Sequence, residues 1–144
     1  MLRGSCLCGG VAFELASVSG PFELCHCNRC RKVSGSAFVA AVGVKSEDYR
    51  LVRGAELITR FELPVRDVPP AYGYTFCRRC GCTVPPAEPE GPWFEIAAGL
   101  LDDEPDLTPD RHIFVEHAPR WAPIADGLPQ LDAGALARLR EDKD

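Results

Sequence analysis

The chain has 144 residues, 46% of them apolar and 26% charged, and a formal net charge of −5. That length suits one domain with its own core, and the acidic balance excludes nucleic-acid binding through a general positive field. No stretch approaches the roughly 20 apolar residues of a membrane-spanning helix, and Met1 to Cys6 has no apolar run behind a basic start, so a soluble cytoplasmic protein with no signal peptide is expected.

Taken in order, Gly4 to Gly10 reads as a Cys-x-Cys turn closed by two glycines, and Val11 to Leu15 as a strand. Ser17 to Pro21 is a turn. Phe22 to Cys25 is a strand that delivers Cys25 into a run of thiols, and Asn28 to Ser34 is a short helical turn stopped by Gly35. Ala37 to Val44, small and β-branched, is a buried strand. After a turn at Lys45 to Asp48, strands are expected at Tyr49 to Arg53 and Glu56 to Leu63, then a loop over Pro64 to Pro70. Tyr72 to Cys77 is a strand running into a second thiol group, followed by a proline-rich segment, Pro85 to Pro92. Trp93 to Ala98, ended by Gly99, and His112 to Glu116 are the last strands, on either side of an acidic loop at Leu100 to Asp110. Asp132 is placed to cap a short helix reaching Lys143. Many short strands and little helix make the fold mainly β, a sandwich-like or barrel-like domain over residues 1–144.

The eight cysteines are Cys6, Cys8, Cys25, Cys27, Cys30, Cys77, Cys80 and Cys82. Without an export signal, clusters this tight point to metal rather than disulfides. Cys77-x-x-Cys80 has the form of a zinc knuckle, and Cys6-x-Cys8, flanked by glycine, is the pair to complete a closed, structural four-thiolate site. Cys25, Cys27 and Cys30 remain. Three thiolates with an open position form a site that binds something exogenous, unless Cys82 or His26 fills the fourth place and makes it structural too. His26 suits that role poorly, since neighbouring residues seldom turn both side chains onto one ion. Arg29, Arg31 and Lys32 flank Cys30, and Arg78 and Arg79 lie inside the second knuckle. Their charge either balances a thiolate-rich site or draws in an anionic thiol.

Other residues carry less. His112 and His117 read as structural or surface histidines, Asp102-Asp103-Glu104 as an acidic turn of either cation-binding or solvated kind, and Trp93 and Trp121 as core. There is no nucleophile elbow, phosphate loop or nucleotide fingerprint.

Gly4-Ser5-Cys6-Leu7-Cys8-Gly9-Gly10-Val11, Cys25-His26-Cys27-Asn28-Arg29-Cys30-Arg31 with Ser34-Gly35, and Phe76-Cys77-Arg78-Arg79-Cys80-Gly81 together resemble the glutathione-dependent formaldehyde-activating enzyme family, whose domain is shared with centromere protein V. Ala98 to Asp103, His112 to Val115 and Trp121 to Pro129 continue the likeness, which spans about residues 3–131 and leaves 132–144 as a short helix and charged tail. The resemblance implies an Mss4-like β fold with a structural zinc on Cys6, Cys8, Cys77 and Cys80, and a second zinc with an exchangeable position on Cys25, Cys27 and Cys30. It also implies a carbon–sulfur lyase reaction joining glutathione, or another small thiol, to formaldehyde or a related aldehyde; by their charge, Arg29, Arg31 and Lys32 are the candidates to bind that thiol. No nucleic-acid or membrane partner is implied. Cys82 stands where the family carries Ser or Thr. The alternative is a non-enzymatic zinc domain that carries a thiol or binds a protein partner.

Overall fold

The computed structural model describes residues 1–63 and 72–142; the expected loop at Pro64 to Pro70 and the end of the expected helix at Lys143 lie outside them. In chain order the elements are β1 (Leu2–Ser5), β2 (Ala12–Leu15), β3 (Phe22–Cys25), α1 (Asn28–Ser34), β4 (Val39–Lys45), β5 (Tyr49–Arg53), β6 (Ile58–Glu62), β7 (Gly73–Cys77), β8 (Trp93–Ala97), β9 (Arg111–Ile113), β10 (Gln130–Leu131) and α2 (Ala133–Glu141). The fold is mainly β, as the turn-punctuated sequence predicts. The chain forms two compact units, each discontinuous in sequence: Met1–Ser19 with Gly43–Asp106, and Gly20–Val42 with Leu107–Asp144.

In the first unit, β1, β2 and β5 form an antiparallel sheet in that order, and β6 pairs with β7 as a separate hairpin. Its apolar centre gathers Cys6, Val11, Leu57, Cys77 and Val84. Burial of each Val or Leu there stabilises by about 1.5–3 kcal/mol, so the same packing that builds the core brings both ends of the first thiol group together. Two glycines permit the close approach. A Cβ at Gly4 would stand 2.2 Å from the Phe13 ring. At Gly54, with φ of 95°, it would stand 2.3 Å from the carbonyl oxygen of Gly10, so only glycine lets this segment lie against the Cys6–Gly10 turn.

In the second unit β3 is central. It runs antiparallel to β4, with Cys25 opposite Val39, and parallel to β9, with Cys25 opposite Ile113; β10 is parallel to β9 beyond it. The pairing is therefore mixed and not antiparallel throughout. Glu23, buried on β3, accepts from Arg111 Nε at 2.8 Å, and Arg140 of α2 lies 3.7 Å from its other oxygen. Asp132 caps α2 by accepting from the Ala135 amide at 2.8 Å.

Several expected boundaries move. The expected turn from Gly4 opens inside a strand, β1, and the two residues of β10 carry too little pattern to read. β4 starts at Val39, not Ala37. The strand expected from Glu56 begins at Ile58, after a 3-10 turn over Ala55–Leu57. The one expected to reach Glu116 stops at Ile113, because Phe114 takes a left-handed φ of 54° and a 3-10 turn follows. Trp93 and Trp121 are 41% and 70% exposed and so are not core. In the acidic turn, Asp103 pairs with Arg3 at 2.9 Å and Asp102 accepts from Ser5 at 2.8 Å, fastening that loop to β1.

Candidate metal centres

Each unit carries one thiol cluster. The first is built from two turns. Cys6 follows β1, and its carbonyl accepts the Gly9 amide at 2.9 Å while its own amide donates to Val11 at 3.0 Å. That tight turn aims the Val11 amide at Cys6 Sγ (3.3 Å) and the Gly10 amide at Cys8 Sγ (3.4 Å). Cys77 ends β7, and its carbonyl accepts the Gly81 amide at 2.7 Å, closing the knuckle that holds Cys80. The four sulfurs of Cys6, Cys8, Cys77 and Cys80 lie within 4.8 Å of one another, with Cys6 to Cys8 at 3.6 Å and Cys8 to Cys77 at 3.8 Å. A tetrahedral zinc with Zn–S near 2.3 Å would set its sulfurs about 3.8 Å apart, so the donor set and its spacing fit that ion. All eight cysteines are free thiols.

The second cluster sits where β3 meets α1. Cys25 is fixed at the end of the central strand, and Cys27 is the N-cap of α1, its sulfur accepting the Cys30 amide at 3.4 Å. Cys30 lies on the first turn of that helix, so strand, cap and helix each contribute one thiol. The three sulfurs lie within 4.8 Å of one another, against an apolar group of Ile113, Leu136, Phe114 and Leu131. Hydrogen bonds from Cys25 and then Cys30 pull the Cys27 thiol far below its ordinary range. Cys25 is pushed up to about 12 by the sulfur of Cys27, and Cys30 is raised through Cys25. Three thiols this close resist ionising together, and a divalent cation held by all three would offset their mutual repulsion.

His26, between two of these cysteines, turns away from them. Its amide donates to the Ile113 carbonyl at 3.0 Å and its ring is 1% exposed. His26 Nε2 lies 2.8 Å from His112 Nδ1, and His112 Nε2 lies 2.9 Å from a carboxylate oxygen of Asp126. The acceptor at Asp126 fixes the order of donors. His112 donates through Nε2 and accepts at Nδ1 from His26 Nε2–H, which leaves the His26 Nδ1 lone pair buried with no hydrogen-bond partner among the described residues. Burial first, and His112 second, lower the His26 pKa and keep the ring neutral. No sequence spacing announces this line of three residues, since His26 and His112 are 86 positions apart.

Cys82 joins neither cluster. Its sulfur accepts the Leu7 amide at 3.4 Å and its carbonyl accepts the Cys77 amide at 2.9 Å, both within the first unit. Among the basic residues, Arg31 donates to the His117 carbonyl at 3.1 Å, while Lys32, Arg78 and Arg79 are exposed and Arg29 is partly buried. His117 thus contributes its backbone to α1 and joins no thiol group.

Residues 1–117 match the family described as glutathione-dependent formaldehyde-activating enzyme. A Halomonas elongata protein, provisionally named as such an enzyme, is 30% identical over 129 residues, covering 86% of this chain and 81% of its own length. A crystal structure of a Rhodobacter sphaeroides protein superposes with a TM-score of 0.52 at 24% identity, over 72% of this chain and 91% of the other, which shows a shared fold. By the match over 117 of its 144 residues and by this relative, the chain belongs to the glutathione-dependent formaldehyde-activating enzyme family.

Proposed function

We propose that the protein is a zinc-dependent carbon–sulfur lyase that joins a small thiol, glutathione being the first to test, to formaldehyde or a related aldehyde. The observation that carries this reading is the second cluster: three sulfurs on Cys25, Cys27 and Cys30 gathered within 4.8 Å, apart from the four that form a complete set of ligands. Cys6, Cys8, Cys77 and Cys80 would hold a structural ion, and Cys25, Cys27 and Cys30 a second. When bound by three thiolates, zinc supplies a Lewis-acidic position at which an incoming thiol is favoured as thiolate.

The chain's own residues supply rigidity and charge. β3 fixes Cys25 between two neighbouring strands, and the cap geometry of α1 fixes Cys27 and Cys30 relative to it. Arg29 and Lys32, on the helix that carries Cys30, would attract the carboxylates of a peptide thiol. The overall reaction is redox-neutral. A sulfur–carbon bond forms, the carbonyl π bond opens, and the thiol proton ends on the former carbonyl oxygen. Eight free thiols suit a reducing, cytoplasmic setting.

The packing of the same three cysteines with Ile113 and Leu136 favours a second reading, in which this ion is purely structural. Calorimetric titration of the zinc-loaded protein with glutathione separates the two. The lyase reading expects saturable binding at millimolar glutathione or tighter, lost in a Cys27→Ser protein that keeps the thermal transition of the parent. No binding by the parent, or unfolding of Cys27→Ser, would favour the structural reading.

A further inference from the structure

Cys82 is the one cysteine that neither cluster uses, and its surroundings belong to the first. The turn that directs amides at Cys6 Sγ (3.3 Å, from Val11) and Cys8 Sγ (3.4 Å, from Gly10) directs a third, from Leu7, at Cys82 Sγ at 3.4 Å. Cys82 is thus held as two of the ligands are. It packs, as Cys80 does, on the apolar group of Cys6, Val11, Leu57, Cys77 and Val84. It stays outside the set of four sulfurs that lie within 4.8 Å of one another. Between Cys80 and Cys82 stands only Gly81, at a φ of 79° and with no atom within 4 Å of where a Cβ would be. The Gly81 amide, donating to the Cys77 carbonyl at 2.7 Å, and the Cys77 amide, donating to the Cys82 carbonyl at 2.9 Å, tie Cys82 to the knuckle that carries Cys80, so both sulfurs belong to one turn.

We propose that Cys82 is a reserve ligand of the four-sulfur site, able to take the place of Cys80 whenever the Cys80 sulfur leaves the ion. The proposal rests on Cys6, Cys8, Cys77 and Cys80 holding a zinc-type ion. In a protein that handles aldehydes and thiols, a spare sulfur beside a partly exposed ligand keeps the structural ion in place.

Cadmium loading of the full chain tests both statements, since the chemical shift of the bound metal reports how many thiolates surround it. The parent is expected to show a four-thiolate cadmium resonance. Its absence overturns the proposal together with the reading beneath it. Cys80→Ser is expected to keep the four-thiolate resonance and the double variant Cys80→Ser with Cys82→Ser to lose it, whatever three-thiolate signal the group at Cys25, Cys27 and Cys30 adds to all of them. Loss of the four-thiolate resonance in Cys80→Ser alone overturns the reserve role and leaves the site itself intact. Should Cys80→Ser not fold, Cys82→Ser, which retains all four ligands, decides the matter. Its zinc is expected to pass to a chelator about tenfold faster than the parent's, as a lost recapture step predicts, and an unchanged rate overturns the proposal.

Discussion

At the residue scale, the best-defined polar feature beside the second cluster is the line Asp126–His112–His26. His112 is 3% exposed and serves both neighbours at once, through Nδ1 and Nε2. Its removal leaves His26 Nε2–H buried with no acceptor, which costs about 1–3 kcal/mol. We expect His112→Ala to lower the denaturant midpoint accordingly, while His117→Ala, which keeps the carbonyl that Arg31 uses, stays within about 0.5 kcal/mol of the parent. Equal effects of the two would contradict the arrangement. The cysteine groups were legible because residues able to share one metal ion obey spacing, and each of the two groups gathers its sulfurs within 4.8 Å as the sequence pattern expects. The role of His112 was not legible, because a buried polar line depends on which strands become neighbours. The exposure of Trp93 escaped for a related reason, since an aromatic residue in an apolar run does not say which way its strand faces, and Trp121 lies in a turn, where no period speaks to burial.

At the scale of elements, two junctions hold the clusters in register. Gly54 lets the 3-10 turn at Ala55–Leu57 rest on the Cys6–Gly10 turn, and Leu57 then packs against Cys6 and Cys77. An alanine there adds a Cβ at a positive φ and against backbone, so Gly54→Ala should cost about 1–3 kcal/mol and weaken zinc retention at the four-sulfur site; a parent-like melting temperature would refute it. On β3, Glu23 depends on Arg111, whose side chain is 15% exposed against 2% for Glu23. Arg111→Ala leaves a buried carboxylate with only the longer contact to Arg140, and we expect a loss of about 3–5 kcal/mol in chemical denaturation. A loss below about 1 kcal/mol, the range of a surface pair, would contradict this. Strands with a clear alternation, such as β5 and β7, follow the sequence closely. β1 and β10 do not, since two to four residues at a sheet edge carry no period, and the early end of β9 follows from the left-handed backbone of Phe114.

At the scale of the whole molecule, the sequence order of the thiols conceals their grouping. Cys6, Cys8, Cys77 and Cys80 come together in the first unit although the sequence between them includes Gly20–Val42, which belongs to the second unit with the compact group at Cys25 to Cys30. The number of thiols and their spacing made two groups predictable. The division of the chain into two interleaved units, and the parallel strands on either side of β9, depend on long-range pairing that local pattern does not encode. The central claim is that the three-sulfur group serves a reaction between a thiol and an aldehyde. Its most direct test is the rate of S-hydroxymethylglutathione formation from glutathione and carbon-13 formaldehyde, followed by exchange NMR with the zinc-loaded protein and with Cys27→Ser. The parent is expected to exceed the rate of the spontaneous reaction, and Cys27→Ser to return to it. A parent rate equal to the spontaneous one, or a rise that Cys27→Ser retains, would contradict the claim.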